Sequence, residues 1–410
     1  MPLIRRPGGR LPIAALALTA FALQTDDFVI VGVLSSIAHG LSVGEASAGQ
    51  LVTVFSVICA VIAPVAAVAT ASWSRRRLLT GGMLVFCAAN LAVPLAASYP
   101  ALMALRVLAA LAAAVVLPAV FAVTAALSAP ERRGRDLATV MAGLTGAIVA
   151  GVPLGTWVGA ALGWRATFVT GGLLGLAALA FLRAAVPETA PPPAAGLGER
   201  LRPLARPAIL YVLLAAVAAV LGNLMLQTYL APFLDDVAGV TPSGLGGLLV
   251  LTGVAGIAGG RLSGALVDRF GPVRTFAIAV AAFTAAMAGL ALAWSLRPAH
   301  LAFVLVPLLV WSAAAWAVPP PVQTRLLALA GAKTGPQVLA LSSSAVYAGA
   351  SLGAGLGGWL LGTRGSGSLP LAAAACSLGA LGLFGLAQRG ASEPVPDGGL
   401  GAAEGRRANV

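Results

Sequence analysis

Runs of about 20 apolar residues recur along the whole length of this 410-residue chain. A helix of that length matches the hydrocarbon thickness of a bilayer. In lipid, every backbone N–H and C=O must be satisfied within the protein, and a helix does this inside one segment. The recurrence therefore predicts an all-α integral membrane protein that crosses the bilayer many times. Only 9% of residues are charged and 59% are hydrophobic. A soluble domain carries about 25% charged residues, so no soluble fold could hide this much apolar surface. The first run is too long for a cleavable signal peptide, holds two acids and lacks a small-residue cleavage site.

Twelve spans are predicted, at about 11–36, 48–71, 78–98, 100–128, 137–162, 166–186, 208–233, 243–266, 273–295, 299–321, 335–362 and 368–387. The longest polar interruption, rich in proline and charge, runs from Val186 to Pro207 and reads as a linker. It divides the chain into a first six-helix bundle (1–186), a cytoplasmic linker (187–207), a second bundle (208–390) and a disordered tail (391–410). The net charge of +12 could suggest nucleic acid. The basic residues lie instead in short clusters between apolar runs, as topology signals do. With the N-terminus inside, 21 of the 25 Lys and Arg fall on the cytoplasmic side and three (Arg165, Arg297, Arg364) outside. That bias predicts a multi-pass protein of the plasma (inner) membrane with both termini cytoplasmic. Cys59, Cys87 and Cys376 sit inside apolar runs as small packing residues. His39 and His300 are single, and no metal site or cofactor is expected. The sequence has no nucleotide-binding loop or nucleophile–base constellation, so an enzyme is not expected.

The clearest motif is Gly264-Ala-Leu-Val-Asp268-Arg269-Phe-Gly271-Pro-Val-Arg274, between spans 8 and 9. Gly264 would permit close helix approach, Asp268 would cap the next helix or pair with an Arg, and Gly271 would permit a tight turn. The matching loop between spans 2 and 3 holds Ala71 and Ser72 where the first has its acid and base, and keeps only Arg75–Arg77. Span 5 carries Gly143, Gly146, Gly151, Pro153, Gly155 and Gly159. Small residues let neighbouring helices approach, and a proline removes a backbone hydrogen bond and allows a bend. Plain small-residue packing explains these positions equally well. Span 11 repeats the theme in Gly349, Gly353, Gly355, Gly357 and Gly358.

Six plus six spans about a linker resemble the major facilitator superfamily. The stretches Thr25–Val29, Arg106–Ala110, Pro130–Arg135, Gly151–Gly155, Gly163–Phe168, Thr228–Leu234 and the Asp268 loop follow in the expected order. They are similar to the arabinose-efflux-permease-like branch of the twelve-span drug:proton antiporters, with chloramphenicol-resistance exporters as near relatives. The resemblance implies two pseudo-symmetric six-helix bundles and alternating access. It also implies that Gly264, Asp268, Arg269 and Gly271 lock a cytoplasmic gate and that Gly151, Pro153 and Gly155 carry the conformational change. A monomer is expected.

Three ionisable residues lie within spans: Asp26, Asp27 and Arg106. Charges at the bilayer centre cost roughly 2.5–3.5 kcal/mol each on translocon scales, so they mark functional sites. Adjacent helical residues point about 100° apart, so Asp26 and Asp27 cannot face a cavity equally. The resemblance places the acid directly before the Phe-Val pair, Asp27, on the cavity. Asp26 would then make a polar contact nearby, as with Gln24 or Thr25. At 1.5 Å per residue Arg106 lies roughly 8 Å deep and Asp27 roughly 15 Å. An arginine side chain can cover that difference, so Arg106 is expected to meet one aspartate directly or through water. Burial disfavours a carboxylate and a guanidinium favours it, so a site between these limits can titrate as the cavity alternates, with substrate competing for it. A purely structural Asp–Arg lock is the alternative.

For substrate contacts, Asn223 and Gln227 share a face of span 7, joined by Tyr229, by Trp311 and Trp316 in span 10, and by Tyr347 in span 11. Apolar walls with a few polar and aromatic groups suit amphipathic drug-like molecules. The expected function is proton-coupled export of small, largely apolar drugs or secondary metabolites, with protons and the lipid bilayer as the other partners. A sugar or small-metabolite exporter, a passive facilitator and a transporter-like sensor remain alternatives.

Overall fold

A computed structural model describes residues 10–70, 73–129, 131–188, 196, 198 and 201–389. Ala71 and Ser72 of the altered loop, Pro130, most of the linker and the tail after Arg389 lie outside the described residues. The described residues form helices joined by short turns.

Helix α1 runs Arg10–Phe28 and continues, bent by 44°, as Ile30–Gly40. Then come α2 (Glu45–Ala69), α3 (Arg75–Leu91), α4 (Tyr99–Leu127), α5 (Arg133–Leu162) and α6 (Trp164–Ala185). In the second half α7 runs Pro207–Thr228 and continues as Leu230–Ala238. The next helix, Pro242–Ser295, has 54 residues but is broken at Gly271, with φ 77° and ψ 167°. Unbroken, it would be about 80 Å long, far beyond a hydrocarbon core of about 30 Å. It is therefore two spans, α8 (242–270) and α9 (272–295). They are followed by α10 (Leu301–Gly331), α11 (Gln337–Arg364) and α12 (Ser368–Arg389). Ten helices are long and apolar enough to cross a membrane, the bent α1 adds an eleventh, and the break at Gly271 adds a twelfth.

Two expected spans are not straight. Span 1 breaks at Val29, where Thr25 Oγ1 donates to the Phe21 carbonyl at 2.8 Å. Such back-bonding competes with the helix ladder and favours a bend. Span 7 breaks at Tyr229 (φ −108°, ψ 28°) and extends to Ala238, past the expected 233. Span 10 likewise runs on to Gly331, ten residues beyond the expected 321, and stops where that glycine takes φ 71°.

The glycines of α5 form a rib against α1. A Cβ at Gly143 would meet the Ala17 carbonyl oxygen at 2.3 Å, at Gly151 Thr25 Oγ1 at 2.1 Å, at Gly155 Val29 at 2.4 Å and at Gly159 Val33 at 2.5 Å. The contacted residues share one face of α1. Helix α11 does the same to α7: Gly349 meets the Val217 carbonyl oxygen at 2.6 Å, Gly353 that of Leu221 at 2.4 Å, and Gly357 Met225 at 3.0 Å. Without a hydrophobic force between helices in lipid, close backbone approach of this kind holds spans together. Pro153 follows a single π-helical stretch, Ala147–Gly151, which accommodates the missing amide donor.

Three apolar cores fill the molecule. At the end away from the described N-terminal residues, one core joins both halves: Ile30, Leu34, Leu51 and Trp164 pack with Met225, Phe233, Leu245 and Leu360. Toward the other end the halves have separate cores. Leu16, Phe55, Met83 and Val120 belong to the first, and Val212, Phe276, Val322 and Phe384 to the second. The bundle is thus closed at one end and parted at the end where α1 begins and α12 finishes.

Candidate functional site

The buried charges meet beside the bend of α1. Arg106, on α4, is 1% exposed and its Nη1 donates to Asp26 Oδ2 at 2.7 Å. Its Nη2 lies 3.4 Å from the Asp26 carbonyl oxygen. The guanidinium carbon sits 4.8 Å from the Phe55 ring centroid and 5.6 Å from that of Phe168, so aromatic faces cover the cation. On the other side, the Asn90 amide of α3 faces the Asp26 carboxylate, although Oδ1 makes no bond of ordinary geometry. Such a pair repays its desolvation only when geometry and further bonds are good. Arg106 therefore meets Asp26, and the Gln24 or Thr25 contact expected for Asp26 does not form. Thr25 bonds its own helix instead.

Asp27 is also buried, at 6% exposure. It makes no hydrogen bond or ion pair with any described residue. Its electrostatic neighbours are Arg106, Asp26, Cys59 on α2 and Tyr347 on α11. Tyr347 belongs to the second half yet packs on the core of the first. Asp27 thus lies where the two halves meet, beside a carboxylate that is already locked.

A narrow cleft between the halves lies one side-chain direction away from Asp27. It measures about 480 Å³ including its open mouth. Phe28 and Val31 of α1 and Ile148 and Val152 of α5 form one wall. Asn223 and Gln227 of α7, Thr252 of α8 and Trp311, Ser312 and Trp316 of α10 form the other. Asn223 Nδ2 donates to Gln227 Oε1 at 3.2 Å, as their four-residue spacing allows. Ser312 and Thr252 are satisfied by backbone carbonyls. Two buried groups are not: Trp311 Nε1–H and Asn223 Oδ1 have no hydrogen-bond partner among the described residues. The cleft therefore offers a free buried donor and a free buried acceptor among apolar and aromatic walls, and none of its lining residues is charged.

Several expected site residues lie elsewhere. Tyr229 is fully buried and does not line the cleft. Its hydroxyl donates to the Ala354 carbonyl at 2.8 Å, and it is wedged between Gly49 and Gly358, where a Cβ would strike it. It packs the closed end of the bundle. Tyr347 is outside the cleft, on the Asp27 side. Direct competition between substrate and proton for one group is not what this arrangement offers, because Asp27 is absent from the cleft wall while Phe28 is part of it. In the Asp268 loop, Gly271 does take the left-handed conformation that favours glycine. Gly264 makes no close helix approach: a Cβ there would meet nothing within 4 Å. Asp268 is exposed and neither caps a helix nor pairs with a described Arg, and Arg269 stacks on Phe270 at 5.0 Å. With the halves parted at this end, the loop has no opposite surface to lock.

The residues the sequence reading passed over are Phe55, Phe168, Asn90, Phe28, Thr252 and Ser312. A lone amide inside an apolar run is the signal that could have found Asn90. The others look like ordinary span residues until the helices are packed.

Comparison with known proteins bears on this arrangement. The family described as Major Facilitator Superfamily matches residues 16–354. The MFS-type transporter YbcL of Bacillus subtilis is 31% identical over 346 residues, covering 84% of this chain and 87% of that protein. The chloramphenicol resistance protein of Streptomyces lividans is 36% identical over 273 residues, 66% of this chain and 69% of that one. Among solved structures, a bacterial homologue of the human lysosomal transporter Spinster, in an inward-facing and occupied conformation, aligns with a TM-score of 0.73. It shares 19% identity, over 92% of this chain and 96% of its own, which is a likeness of fold.

Proposed function

Because this chain belongs to the major facilitator superfamily of membrane transporters, we propose that it exports small, neutral, largely apolar drug-like compounds in exchange for protons. The observation that carries the reading is the pairing of a buried, unbonded acid, Asp27, with an uncharged aromatic cleft beside it on the same helix. The relation to a chloramphenicol resistance protein supports a drug-like substrate.

The rocking units in this account are residues 1–186 and 208–390, joined by 187–207, with the parted end and both termini in the cytoplasm, as the basic-residue bias favours. In the conformation described, substrate enters the cleft from the cytoplasm. The Trp311 indole N–H meets an acceptor and the Asn223 carbonyl meets a donor, as an amide or hydroxyl-bearing molecule supplies. Leaving either group unpaired in a desolvated site is costly, so a substrate that satisfies both is selected. Asp26 is held by Arg106 and fixes the local field. Asp27 is the group whose proton occupancy changes, because its cost of ionisation depends on whether water reaches it, and alternating access changes that. The proton and the substrate act on each other through α1, whose bend lies between Phe28 and Ile30, and not by contact. Gly151, Pro153 and Gly155 let α5 slide or bend against α1 as this happens. Asp268, Arg269 and Gly271 meet the other half only in the opposite, outward-open state, with Gly264 beside them.

Inverted membrane vesicles carrying the protein test the reading, with labelled chloramphenicol as probe. An acidic lumen is expected to drive chloramphenicol accumulation above its external level. Equilibration alone, insensitive to the pH gradient, would identify a passive facilitator and overturn the proposal.

A further inference from the structure

A second groove opens on the lateral surface of the first half, at the parted end of the bundle. It is formed by the first turns of α3 and the last turn of α6 and measures about 710 Å³ including its open mouth. From α3 it is lined by Arg76, Arg77, Thr80, Gly81 and Leu84, from the last turn of α6 by Arg183, and from just beyond α6 by Glu188. The mechanism above uses none of these residues.

The charges are arranged for capture and not for internal pairing. Arg76 is half-buried and anchored, its Nη2 donating to the Arg183 carbonyl at 2.6 Å. Glu188 accepts from the Ser74 hydroxyl at 2.5 Å, which turns it toward the start of α3. Arg77 and Arg183 are exposed and have no ion-pair partner among the described residues. Three guanidiniums and one carboxylate therefore surround the groove. Its floor is open: a Cβ at Gly81 would meet nothing within 4 Å. One turn further along, Leu84 is 50% exposed and Val85 45%, the apolar surface that a membrane span shows to lipid.

We propose that this groove binds the headgroup of an anionic glycerophospholipid from the leaflet at the parted end. The charge sign fits a phosphodiester, which guanidiniums bind through paired N–H donors. The Thr80 hydroxyl is a further donor. The groove is continuous with the apolar strip of Leu84 and Val85, along which acyl chains can lie. Basic pockets between spans at a membrane face are suited to such headgroups. A free phosphate would use the same arginines but gain nothing from the strip.

The test uses the full chain, purified and delipidated in a neutral detergent. It is titrated with phosphatidylglycerol, phosphatidylcholine or glycerol 3-phosphate, and bound lipid is read by native mass spectrometry. Phosphatidylglycerol is expected to bind in preference to phosphatidylcholine. That preference is expected to fall about tenfold in the double variant Arg77→Gln with Arg183→Gln. Gly81→Leu fills the floor and keeps every charge, and it is expected to lose the preference too. Arg132→Gln with Arg261→Gln removes the same charge from exposed positions elsewhere and is expected to keep it. Equal binding of the two lipids by the parent protein overturns the proposal, as does a loss equal in the control pair. Competition by glycerol 3-phosphate at the concentration of phosphatidylglycerol would assign the groove to soluble phosphates and also overturn it.

Discussion

Replacing Asp26 by leucine isolates the ion pair on which the geometry of the site rests. Arg106 and Asp26 are each 1% exposed and 2.7 Å apart. Asp26→Leu leaves a guanidinium that cannot shed its proton, buried and without a bonded acid, with the backbone carbonyl of position 26, the rings of Phe55 and Phe168 and, further off, the Asp27 carboxyl as its remaining neighbours. Two unit charges about 4 Å apart attract by about 4 kcal/mol at an effective dielectric of 20. Removing one partner of a buried pair costs about 3–5 kcal/mol. The retained cation–π contacts are worth about 0.5–2 kcal/mol, which puts the expectation at the low end, about 3 kcal/mol. Removing both charges, as in Asp26→Leu with Arg106→Met, strands neither, and such replacements are often close to neutral. The double variant is therefore expected to be more stable than the Asp26→Leu protein. Reversible unfolding in mixed detergent–dodecyl sulfate micelles measures all three, and the double-mutant cycle gives the coupling. The same cycle with Asp27→Leu is expected to give a smaller coupling, because Asp27 does not bond Arg106. A cost under about 1 kcal/mol for Asp26→Leu, or a larger coupling to Asp27 than to Asp26, would refute the reasoning.

Other expectations follow from the packing. Gly151→Leu and Gly353→Val drive side chains into Thr25 and into the Leu221 carbonyl. Each is expected to lower stability by about 1–3 kcal/mol or more, read as a lower melting temperature in detergent. Gly264→Ala meets open space and is expected to be neutral or stabilising by up to about 1 kcal/mol, as helix propensity alone dictates. A Cβ at Gly362 would lie 3.7 Å from that of Ala46, across the closed end, within the usual disulfide range. Ala46→Cys with Gly362→Cys is therefore expected to cross-link on oxidation, stop transport and recover on reduction, as scored by gel mobility and vesicle flux. Trp311→Phe removes a free buried donor of the cleft while keeping an aromatic wall. It is expected to weaken chloramphenicol transport about tenfold, the scale of one buried hydrogen bond, with an unchanged melting temperature.

Much of this architecture was legible in the sequence, because spans, glycine ribs and loop charges are local patterns. Asn223 and Gln227 share a face because four residues make about one turn, whatever surrounds them. The choice between Asp26 and Asp27 was not local. Both sit on one helix about 100° apart, and only the rotation of α1 against α4 decides which meets Arg106. That rotation comes from the α5 rib, through Gly151 on Thr25 and Gly155 on Val29. The break at Val29 has no proline or glycine at it and left no mark in the pattern, whereas the break at Tyr229 lies one turn before Pro232, whose missing amide donor and ring disfavour a continuous helix there. Tyr229 shows the same limit, since an aromatic at a span end can face a cavity or pack a seam. The bare backbones of Gly49 and Gly358 put it in the seam. Gly264 lies in a motif that implies tight approach, but the parted end of the bundle leaves it facing open space.

The central claim is that Asp27 carries the exchanged proton while Asp26 stays bound to Arg106. Asp27→Asn, assayed in inverted vesicles beside the parent protein, tests it most directly. With labelled chloramphenicol inside and unlabelled outside, drug-for-drug exchange is expected to continue in the variant. Uphill accumulation driven by an acidic lumen is expected to disappear. Accumulation in Asp27→Asn equal to that of the parent would contradict the account.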